Sequence, residues 1–466
     1  MRNISLLLLL CIYLSIDISF SLSSSLFNGK IWHITDTHYD FLYQTGGDTT
    51  KQCREVPGKK TVDGIVYSKK FENDNNNKNN NINIIHHPND TASAVGSYSC
   101  DTPYELLISS FEAMVKIEPN PDFIIWTGDD PPHFETYQLN QSLVLQSISN
   151  MTELIKYYFP DTRVYPSIGN HDSFPEHQIP IGPNWLFDAI TEYWSPFLTN
   201  SSLETLQYGG YYTELVEPGF RIVSLNTVFY YTQNKQCLNL TDPAGQFAWL
   251  NSTLYQAKLN NELVWIIGHV PPGYNEKYDI YNFHKQFNDI YLEAFSDYSD
   301  IIVAHFYGHE HSDAFRLYYD RPSMGEDFPT GIMFLTPSLT PWQNPWVPAP
   351  PNNPSLRLYH YNYTDFTLLD YDQYWTNLTD NIKTNEINWM LEYRAREFYH
   401  VEALDHISMY EAYLLIEQVP EMLDTYKLYN SVSYPSKGCD DVCKRIQLCS
   451  IRHPFVKGFK TCLVSV

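Results

Sequence analysis

Basic residues are scarce in this chain of 466 residues. Its 30 lysine and arginine residues stand against 54 aspartate and glutamate residues, which gives a formal net charge of −24 at pH 7. Nucleic-acid binding through the phosphate backbone needs a basic face, so we expect no nucleic-acid partner. The same charge disfavours adsorption to anionic membranes. Neutral, zwitterionic and cationic molecules remain open as partners.

Long apolar segments are also scarce. Beyond the N-terminal residues no stretch is long and apolar enough to span a bilayer, so the sequence predicts no transmembrane anchor. The N-terminus combines a basic start, an apolar run from Ile4 and small residues at 21–25, which is typical of a cleaved secretory signal. An N-terminal anchor is the alternative, but Asp17 interrupts the run. We expect a signal peptide at 1–24 and a monomeric, secreted protein that is extracellular or also lysosomal.

Glycosylation sequons of the N-x-S/T type agree with export. One such tripeptide is weak evidence because it is short, but eight of them indicate a glycoprotein surface. The predicted acceptor residues are Asn89, Asn140, Asn150, Asn200, Asn239, Asn251, Asn362 and Asn377.

Cysteine is sparse, with eight residues in the chain, and Cys11 lies in the predicted signal. The remaining number is odd, so at least one thiol is free or pairs between chains. The C-terminal cysteines could instead bind zinc, but an oxidising compartment favours disulfides. The predicted disulfides are Cys53–Cys100, Cys439–Cys443 and Cys449–Cys462. Cys237 is then the free thiol.

Short apolar strands alternate with amphipathic helices from Lys30 onward, which indicates an α/β fold with helices packed on central sheets. We expect one helix to be capped by Thr102 with Pro103 in its first turn, and another to cover about 139–158. The asparagine-rich tract at 72–84 predicts a disordered insertion.

The pattern changes near the C-terminus. After about Arg396 it becomes helical and ends in the cysteine cluster. We therefore expect a catalytic domain at 28–395 and a helical, disulfide-bonded region at 396–466.

Five predicted strands end in polar residues of the kinds that ligate metals. Strand ends in layered α/β folds project together at one rim of the sheet. Imidazoles and carboxylates suit borderline divalent metals such as zinc, and two such ions clamp a phosphate and activate a water. A glycine before the ligand lets the backbone bend without a Cβ clash. The motifs are Asp36-x-His38, Gly128-Asp129, Gly169-Asn170-His171-Asp172, Gly268-His269 and Gly308-His309-Glu310-His311.

This ordered set resembles the calcineurin-like metallophosphoesterase family over most of the chain from Asp36 to His311. The resemblance implies a four-layer sandwich of two mixed β-sheets flanked by helices, with two metal ions, expected to be zinc. Carried over by motif, one ion is held by Asp36, His38 and His311, the other by Asn170, His269 and His309, and Asp129 bridges them. Asp130 is assigned no metal, because it points to the opposite side of an extended chain.

His133 supports a narrower resemblance. A histidine four residues after the bridging aspartate, in GDDPPH, is similar to the acid sphingomyelinase branch, as are the stretch DFLYQTGGDT and the C-terminal cysteine cluster. Asp130 departs from that branch, which usually has an apolar residue there. No saposin-like, cysteine-rich domain lies between the predicted signal and Asn28. In this the chain looks more like the acid sphingomyelinase-like phosphodiesterases, whose members include nucleotide-cleaving enzymes.

The resemblance implies a zinc-dependent phosphodiesterase that hydrolyses sphingomyelin to ceramide and phosphocholine. A metal-activated hydroxide would attack phosphorus, and His133 or His171 would donate a proton to the leaving alkoxide. Cleavage of nucleotides or other soluble phosphodiesters is the main alternative. An inactive lipid- or glycan-binding glycoprotein on the same scaffold is a further one.

Overall fold

The computed structural model describes residues 28–55, 91–134, 138–319, 329–345, 349–435 and 438–464. The predicted signal, the asparagine-rich insertion and Asn89 lie outside these ranges. Within them, no helix has the length and apolar character needed to cross a membrane.

Strands and helices alternate through the described part of the chain. The strands are β1 (Asn28–Ile34), β2 (Phe123–Trp126), β3 (Arg163–Pro166), β4 (Tyr212–Glu217), β5 (Phe220–Ser224), β6 (Leu263–Ile267), β7 (Tyr274–Asn275), β8 (Ile280–Tyr281), β9 (Ile302–Tyr307), β10 (Ala314–Tyr318), β11 (Gly331–Leu335), β12 (Ser355–Asn362), β13 (Leu368–Trp375) and β14 (Met390–Arg394). The α-helices are α1 (Tyr104–Ile117), α2 (Gln141–Tyr158), α3 (Trp185–Trp194), α4 (Asn200–Gly209), α5 (Gln246–Leu259), α6 (Lys285–Glu293), α7 (Leu378–Thr384), α8 (Ala395–Tyr399), α9 (His406–Gln418), α10 (Pro420–Asn430), α11 (Asp441–Arg452) and α12 (Val456–Val464).

The strands form two six-stranded mixed sheets and one small hairpin. The first sheet has the order β14-β13-β12-β1-β2-β3, the second has the order β10-β11-β9-β6-β5-β4, and β7 pairs with β8. In the first sheet β1, β2 and β3 are parallel. In the second sheet β11, β9, β6 and β5 are parallel, with antiparallel strands at both edges. The predicted pair of mixed sheets is confirmed.

The two sheets pack face to face through aromatic side chains. Phe123 of the first sheet lies 5.8 Å from Trp265 of the second, measured between ring centroids, and Trp265 lies 5.3 Å from Tyr361. Phe220 completes the cluster at 4.9 Å from Trp265. Full burial of an apolar side chain of this size contributes about 1.5–3 kcal/mol. The strands inside the sheets are accordingly rich in apolar residues, and β2, with the sequence FIIW, is apolar along its whole length.

Helix α1 begins later than the sequence predicts. Its N-cap is Pro103, which makes no side-chain capping bond, and the hydroxyl of Thr102 has no hydrogen-bond partner. The predicted Thr102 cap is wrong because Thr102 pairs with the loop after β1: its N–H donates to the His38 carbonyl and its carbonyl accepts from the Asp40 N–H. This pairing keeps Thr102 extended and away from the helix end.

Helix α2 lies close to its predicted position. It spans Gln141–Tyr158, and the Oδ1 of Asn140 accepts a hydrogen bond from the Leu143 N–H at 3.1 Å. Asparagine is a favoured N-cap because its side chain satisfies one of the free amides of the first turn.

The C-terminal part of the described chain is helical, in agreement with the prediction. Helices α9 and α11 contact β10 at the edge of the second sheet. All three predicted disulfides are present, and Cys237 is a buried free thiol. The predicted domain boundary at Arg396 falls just after β14, the last strand of the first sheet.

Candidate metal centre

Three of the predicted ligands come together from the loops after β1 and β9. Asp36 Oδ1 lies 3.2 Å from His311 Nε2 and 3.9 Å from His38 Nε2. One ligand atom from each of these residues lies within 4.8 Å of the other two. This spacing suits three donors around one ion.

A second group lies beside the first. Asp129, His269 and His309 also place one ligand atom each within 4.8 Å of one another. His269 Nε2 lies 3.0 Å from Asp129 Oδ2 and 3.1 Å from Asn170 Oδ1. The second predicted ligand set, with its asparagine, is therefore gathered at the ends of β2, β3, β6 and β9.

Asp129 lies between the two groups. The same carboxylate oxygen, Oδ2, is 3.0 Å from His269 Nε2 and 3.7 Å from His38 Nε2. An oxygen that faces an imidazole of each group is placed to bridge two ions. The structure thus puts Asp129 where the sequence predicts the bridging carboxylate.

The hydrogen bonds of the ligands fit a metal. The Nδ1 atom of His38 bonds to the Pro131 carbonyl at 2.8 Å, and that of His269 bonds to the Thr127 carbonyl at 2.7 Å. Nδ1 therefore carries the proton and Nε2 is free to ligate. The Nε2 atom of His38 is buried without a hydrogen-bond partner, and an ion would satisfy it.

The electrostatics of the ligands also favour bound cations. Burial would raise the pKa of Asp129, but His269 and His171 hold that pKa well below its ordinary value. Burial opposes protonation of His269, yet Asp129 and Asp36 raise its pKa to about 9. Buried carboxylates that pull protons onto buried imidazoles create a field that divalent ions would neutralise. The mixed nitrogen and oxygen donors suit zinc and similar metals.

Sharp backbone turns present the ligands. Non-glycine residues rarely adopt positive φ, and such conformations persist where the surrounding structure enforces them, often at functional sites. Five ligands have positive φ: Asp36 (45°), His38 (40°), Asp129 (59°), His309 (71°) and His311 (54°).

Two glycines allow these turns to approach one another. A Cβ atom on Gly169 would collide with the Asp129 carboxylate, and one on Gly308 would collide with Thr35 and the Asp36 carboxylate. The predicted need for glycine before a ligand is therefore explained at these positions by close approach of a neighbouring loop.

Comparison with known proteins agrees with this centre. The model of the family described as calcineurin-like phosphoesterase matches residues 29–313. The chain belongs to the calcineurin-like phosphoesterases. The model described as acid sphingomyelin phosphodiesterase C-terminal region matches residues 329–465 of this calcineurin-like phosphoesterase.

Individual relatives cover nearly the whole phosphoesterase. Sphingomyelinase phosphodiesterase C of Dictyostelium discoideum is 62% identical over 467 residues, which covers 100% of this chain and 99% of that protein. Acid sphingomyelinase-like phosphodiesterase 3b of Mus musculus is 36% identical, covering 93% of this chain and 90% of that protein. Cyclic GMP-AMP phosphodiesterase SMPDL3A of Homo sapiens is 35% identical with the same coverage. The calcineurin-like phosphoesterase is accordingly a metal-dependent phosphodiesterase.

Two further histidines of the phosphoesterase flank the ligands. The ring of His133 stacks on that of His38 at 4.2 Å and lies 4.5 Å from that of His171. One nitrogen from each of these three rings lies within 4.8 Å of the others. The two histidines predicted to donate a proton are therefore next to the metal ligands and next to each other.

Sequence reasoning missed the carboxylates that hold these histidines. The Nδ1 atom of His133 lies 3.0 Å from Asp101 Oδ1, and the Nδ1 atom of His171 lies 2.7 Å from Glu176 Oε1. Each Nδ1–H donates to its carboxylate, so the Nε2 atom of each ring is not engaged by that carboxylate. The only sequence signals were the position of Asp101 beside Cys100 and the short distance along the chain from His171 to Glu176.

The environments of the two histidines differ. Burial, with a contribution from His171, lowers the pKa of His133 well below its ordinary value. Burial also opposes protonation of His171, but Asp129 and Glu176 raise its pKa to about 9. A second proton on His133 is therefore disfavoured beside the charged His171 until an anionic phosphate enters the centre.

Two more residues orient the ligands of the phosphoesterase. The Nδ2 of Asn170 donates to the Nδ1 of His177 at 3.1 Å, which turns the Oδ1 of Asn170 toward His269. Asp172 accepts from the backbone N–H groups of Gly169 at 2.7 Å and Asp129 at 3.1 Å. Asp172 thus ties together the loops after β2 and β3.

Asp130 points away from the ligands. Its Oδ1 accepts from the indole of Trp126 at 3.0 Å and from the Thr37 hydroxyl at 3.4 Å. The prediction that Asp130 holds no metal agrees with these contacts.

Proposed function

We propose that the chain is an exported, zinc-dependent phosphodiesterase that hydrolyses sphingomyelin to ceramide and phosphocholine. The observation that carries the proposal is the complete set of seven predicted ligands beside two imidazoles, each imidazole oriented by a carboxylate. The choice of sphingomyelin is supported by the 62% identity to the Dictyostelium discoideum protein named sphingomyelinase phosphodiesterase C.

The ligand geometry supports the following division of roles. Asp36, His38 and His311 would hold one ion, Asn170, His269 and His309 the other, and Asp129 both. Bound zinc would polarise the phosphate oxygens and lower the pKa of a water that attacks phosphorus.

The flanking histidines would complete the reaction. The Nε2 atom of His133 or His171 would donate a proton to the ceramide oxygen as its bond to phosphorus breaks. Asp101 and Glu176 would accept from Nδ1 and so keep each Nε2 directed at the phosphate.

Export is supported by surface features. Among the described sequon asparagines, Asn140, Asn200, Asn239 and Asn251 are exposed, and the other three are half-buried. Three disulfides also fit an oxidising compartment.

A soluble phosphodiester is the second candidate substrate. It is favoured by the 35% identity to the human protein named cyclic GMP-AMP phosphodiesterase SMPDL3A. Both candidates need the same ions and the same proton donor, so the metal centre does not separate them.

A parallel assay of the purified protein separates the candidates. It compares sphingomyelin in detergent micelles with cyclic GMP-AMP, ATP and CDP-choline, and it uses Asp129→Asn as the inactive control. We expect phosphocholine release from sphingomyelin at the highest kcat/KM. Preference for a nucleotide would support the second candidate. Failure of metal-replete protein on all four would favour the binding glycoprotein.

A further inference from the structure

A disulfide joins the two residues that directly precede Arg54 and Asp101. It links Cys53 to Cys100, which are separated by 47 positions in sequence and are both fully buried. The two cysteines therefore lie side by side, and the next residue after each points to the same neighbour, His133.

Arg54 and Asp101 hold His133 from both sides. The Asp101 carboxylate accepts from the His133 backbone N–H at 2.7 Å and from its Nδ1 at 3.0 Å. Arg54 Nη2 donates to the His133 carbonyl at 3.0 Å. The imidazole ring, the backbone N–H and the carbonyl of His133 thus all form hydrogen bonds with the two residues that follow the disulfide cysteines.

The surroundings leave Arg54 and Asp101 little freedom. Arg54 Nε donates to Asp40 Oδ2 at 2.8 Å, and the exposed fractions of these two side chains are 5% and 0%. Asp101 is fully buried and also accepts from the Thr340 hydroxyl at 3.0 Å. Buried charges of this kind are tolerated only when their partners are held in place, and the disulfide supplies a covalent restraint next to both.

One face of His133 is closed as well. The indole of Trp342 stacks on the imidazole at 3.7 Å between centroids, opposite the ring of His38 at 4.2 Å. The two stacked rings restrict tilting of the imidazole plane, and the hydrogen bond to Asp101 restricts rotation of the ring within that plane. Its Nε2 is the atom left for the substrate.

We propose that the Cys53–Cys100 disulfide is a clasp that positions His133 for proton donation. Arg54 and Asp101 are the positioning residues: the disulfide holds them in place, and they hold His133. The inference rests on the proposed function and takes His133, of the two histidines named there, as the residue that donates to the leaving oxygen. Without the clasp, only hydrogen bonds and packing hold Arg54 and Asp101 beside each other, so His133 adopts more orientations. The loss appears in turnover of substrates whose leaving oxygen needs a proton.

The test compares two disulfide-free variants of the full chain. Cys53→Ala with Cys100→Ala removes the clasp, and Cys439→Ala with Cys443→Ala is the matched control in the C-terminal region. Each is assayed on sphingomyelin and on a nitrophenyl phosphodiester, whose nitrophenolate leaves without a proton. Metal content is measured by elemental analysis. If wild-type protein fails on sphingomyelin, the substrate assignment fails and cyclic GMP-AMP, also with an alkoxide leaving group, takes its place.

We expect the clasp variant to lose roughly 10–100-fold in kcat on the alkoxide substrate, part of the range typical of general acid catalysis. Its kcat on the nitrophenyl substrate, its KM and its metal content should stay within about twofold of wild type. The control should match wild type on both substrates. Equal losses on both substrates, or loss of metal, would overturn the proposal, and so would full activity on both.

A second pair of variants keeps the test decisive if the clasp variant does not fold. Asp101→Asn and Arg54→Gln retain the disulfide. The first weakens the hydrogen bonds to the His133 ring and backbone N–H, and the second removes the guanidinium hydrogen bond to its carbonyl. Both should show the same split between alkoxide and nitrophenolate substrates with metal retained. Unchanged turnover of the alkoxide substrate in both would refute positioning through these residues.

Discussion

Individual residues at this centre depend on specific hydrogen-bond partners. Asp101 accepts from the Nδ1 atom of His133, and Glu176 accepts from that of His171, so the Nε2 atom of each ring is left for other partners. In the proposed reaction each candidate proton donor is therefore a histidine paired with a carboxylate.

Replacement of His133 tests its role directly. His133→Ala should slow hydrolysis of an alkoxide-leaving substrate by roughly 10²–10⁴-fold, the usual range for general acid–base catalysis. A nitrophenyl phosphodiester should suffer far less, and metal content should not change. Equal slowing of both substrates with metal retained would assign His133 to phosphate binding and pass the acid role to His171.

The ion pair between His171 and Glu176 predicts a pH-dependent stability of the metal-free protein. Against burial, Asp129 and then Glu176 raise the pKa of His171 to about 9, so the contribution of the charged ring is full below its ordinary 6.5 and is lost as pH rises through 9. His171 lowers the pKa of Glu176 to about 2 against the effect of burial, so that contribution is full above 4.5.

Calorimetry of chelator-treated protein measures this contribution. Glu176→Gln should lower Tm by about 2 °C at pH 6 and by little at pH 10. The exposed Glu192→Gln serves as control and should leave Tm unchanged at both values. A larger loss at pH 10 than at pH 6 would contradict the ion pair.

At the scale of elements, the ligands depend on how strand-end loops meet. Asp172 in the loop after β3 accepts from three backbone amides beside the metal centre, those of Gly169, Asp129 and Asp130. Both loops are held in register by one carboxylate, and its burial, together with the charge of Asp129, raises its pKa to about 6.

Asp172→Asn should loosen this connection. An amide has a single acceptor oxygen. The backbone N–H groups that bond to the other carboxylate oxygen, either that of Asp130 at Oδ1 or those of Gly169 and Asp129 at Oδ2, therefore lose their partner. We expect metal affinity to fall roughly 10–100-fold, as for other residues that support ligands. Competition with a chelator measures it, and exposed Asp161→Asn should behave as wild type. Undiminished affinity would show that the loops are held elsewhere.

The asparagine-rich tract at 72–84 lies outside the described residues. Its composition offers little apolar surface to bury. Deleting residues 72–84 should therefore leave Tm and turnover nearly unchanged. A clear drop in either quantity would show that the tract makes native contacts.

At the scale of the whole molecule, the metal centre joins the two sheets. Asp36, Asp129 and Asn170 follow strands of the first sheet, and His269 and His309 follow strands of the second. Each ion would be held by loops of both sheets, so binding should stabilise the folded chain as a unit.

Removal of metal should therefore affect activity and stability together. A strong chelator should abolish turnover and lower the free energy of unfolding by about 4 kcal/mol for each ion, relative to protein at metal concentrations of 1,000 Kd. Zinc added back should restore both. Asp129→Asn should bind less metal than wild type. Full activity without any transition metal would refute the dinuclear assignment.

The sequence by itself predicted the class of fold and the disulfide pairs, both of which the structure contains, and the ligand set that the family resemblance implies. These predictions depend on local patterns: an apolar strand, a glycine and a ligand in order, or cysteines in an oxidising compartment. These patterns can be recognised in the sequence because each motif requires particular residue types, independently of the rest of the chain.

Tertiary structure alone decided which residues support the site. Asp101 meets His133 across 32 positions, and Arg54 meets it across 79. The same long-range packing overrode the local capping signal at Thr102, whose backbone pairs with His38 instead. Such contacts produce no periodic pattern in the sequence. A buried carboxylate or guanidinium is required by a partner that is distant in sequence, and its sequence neighbours do not indicate that partner.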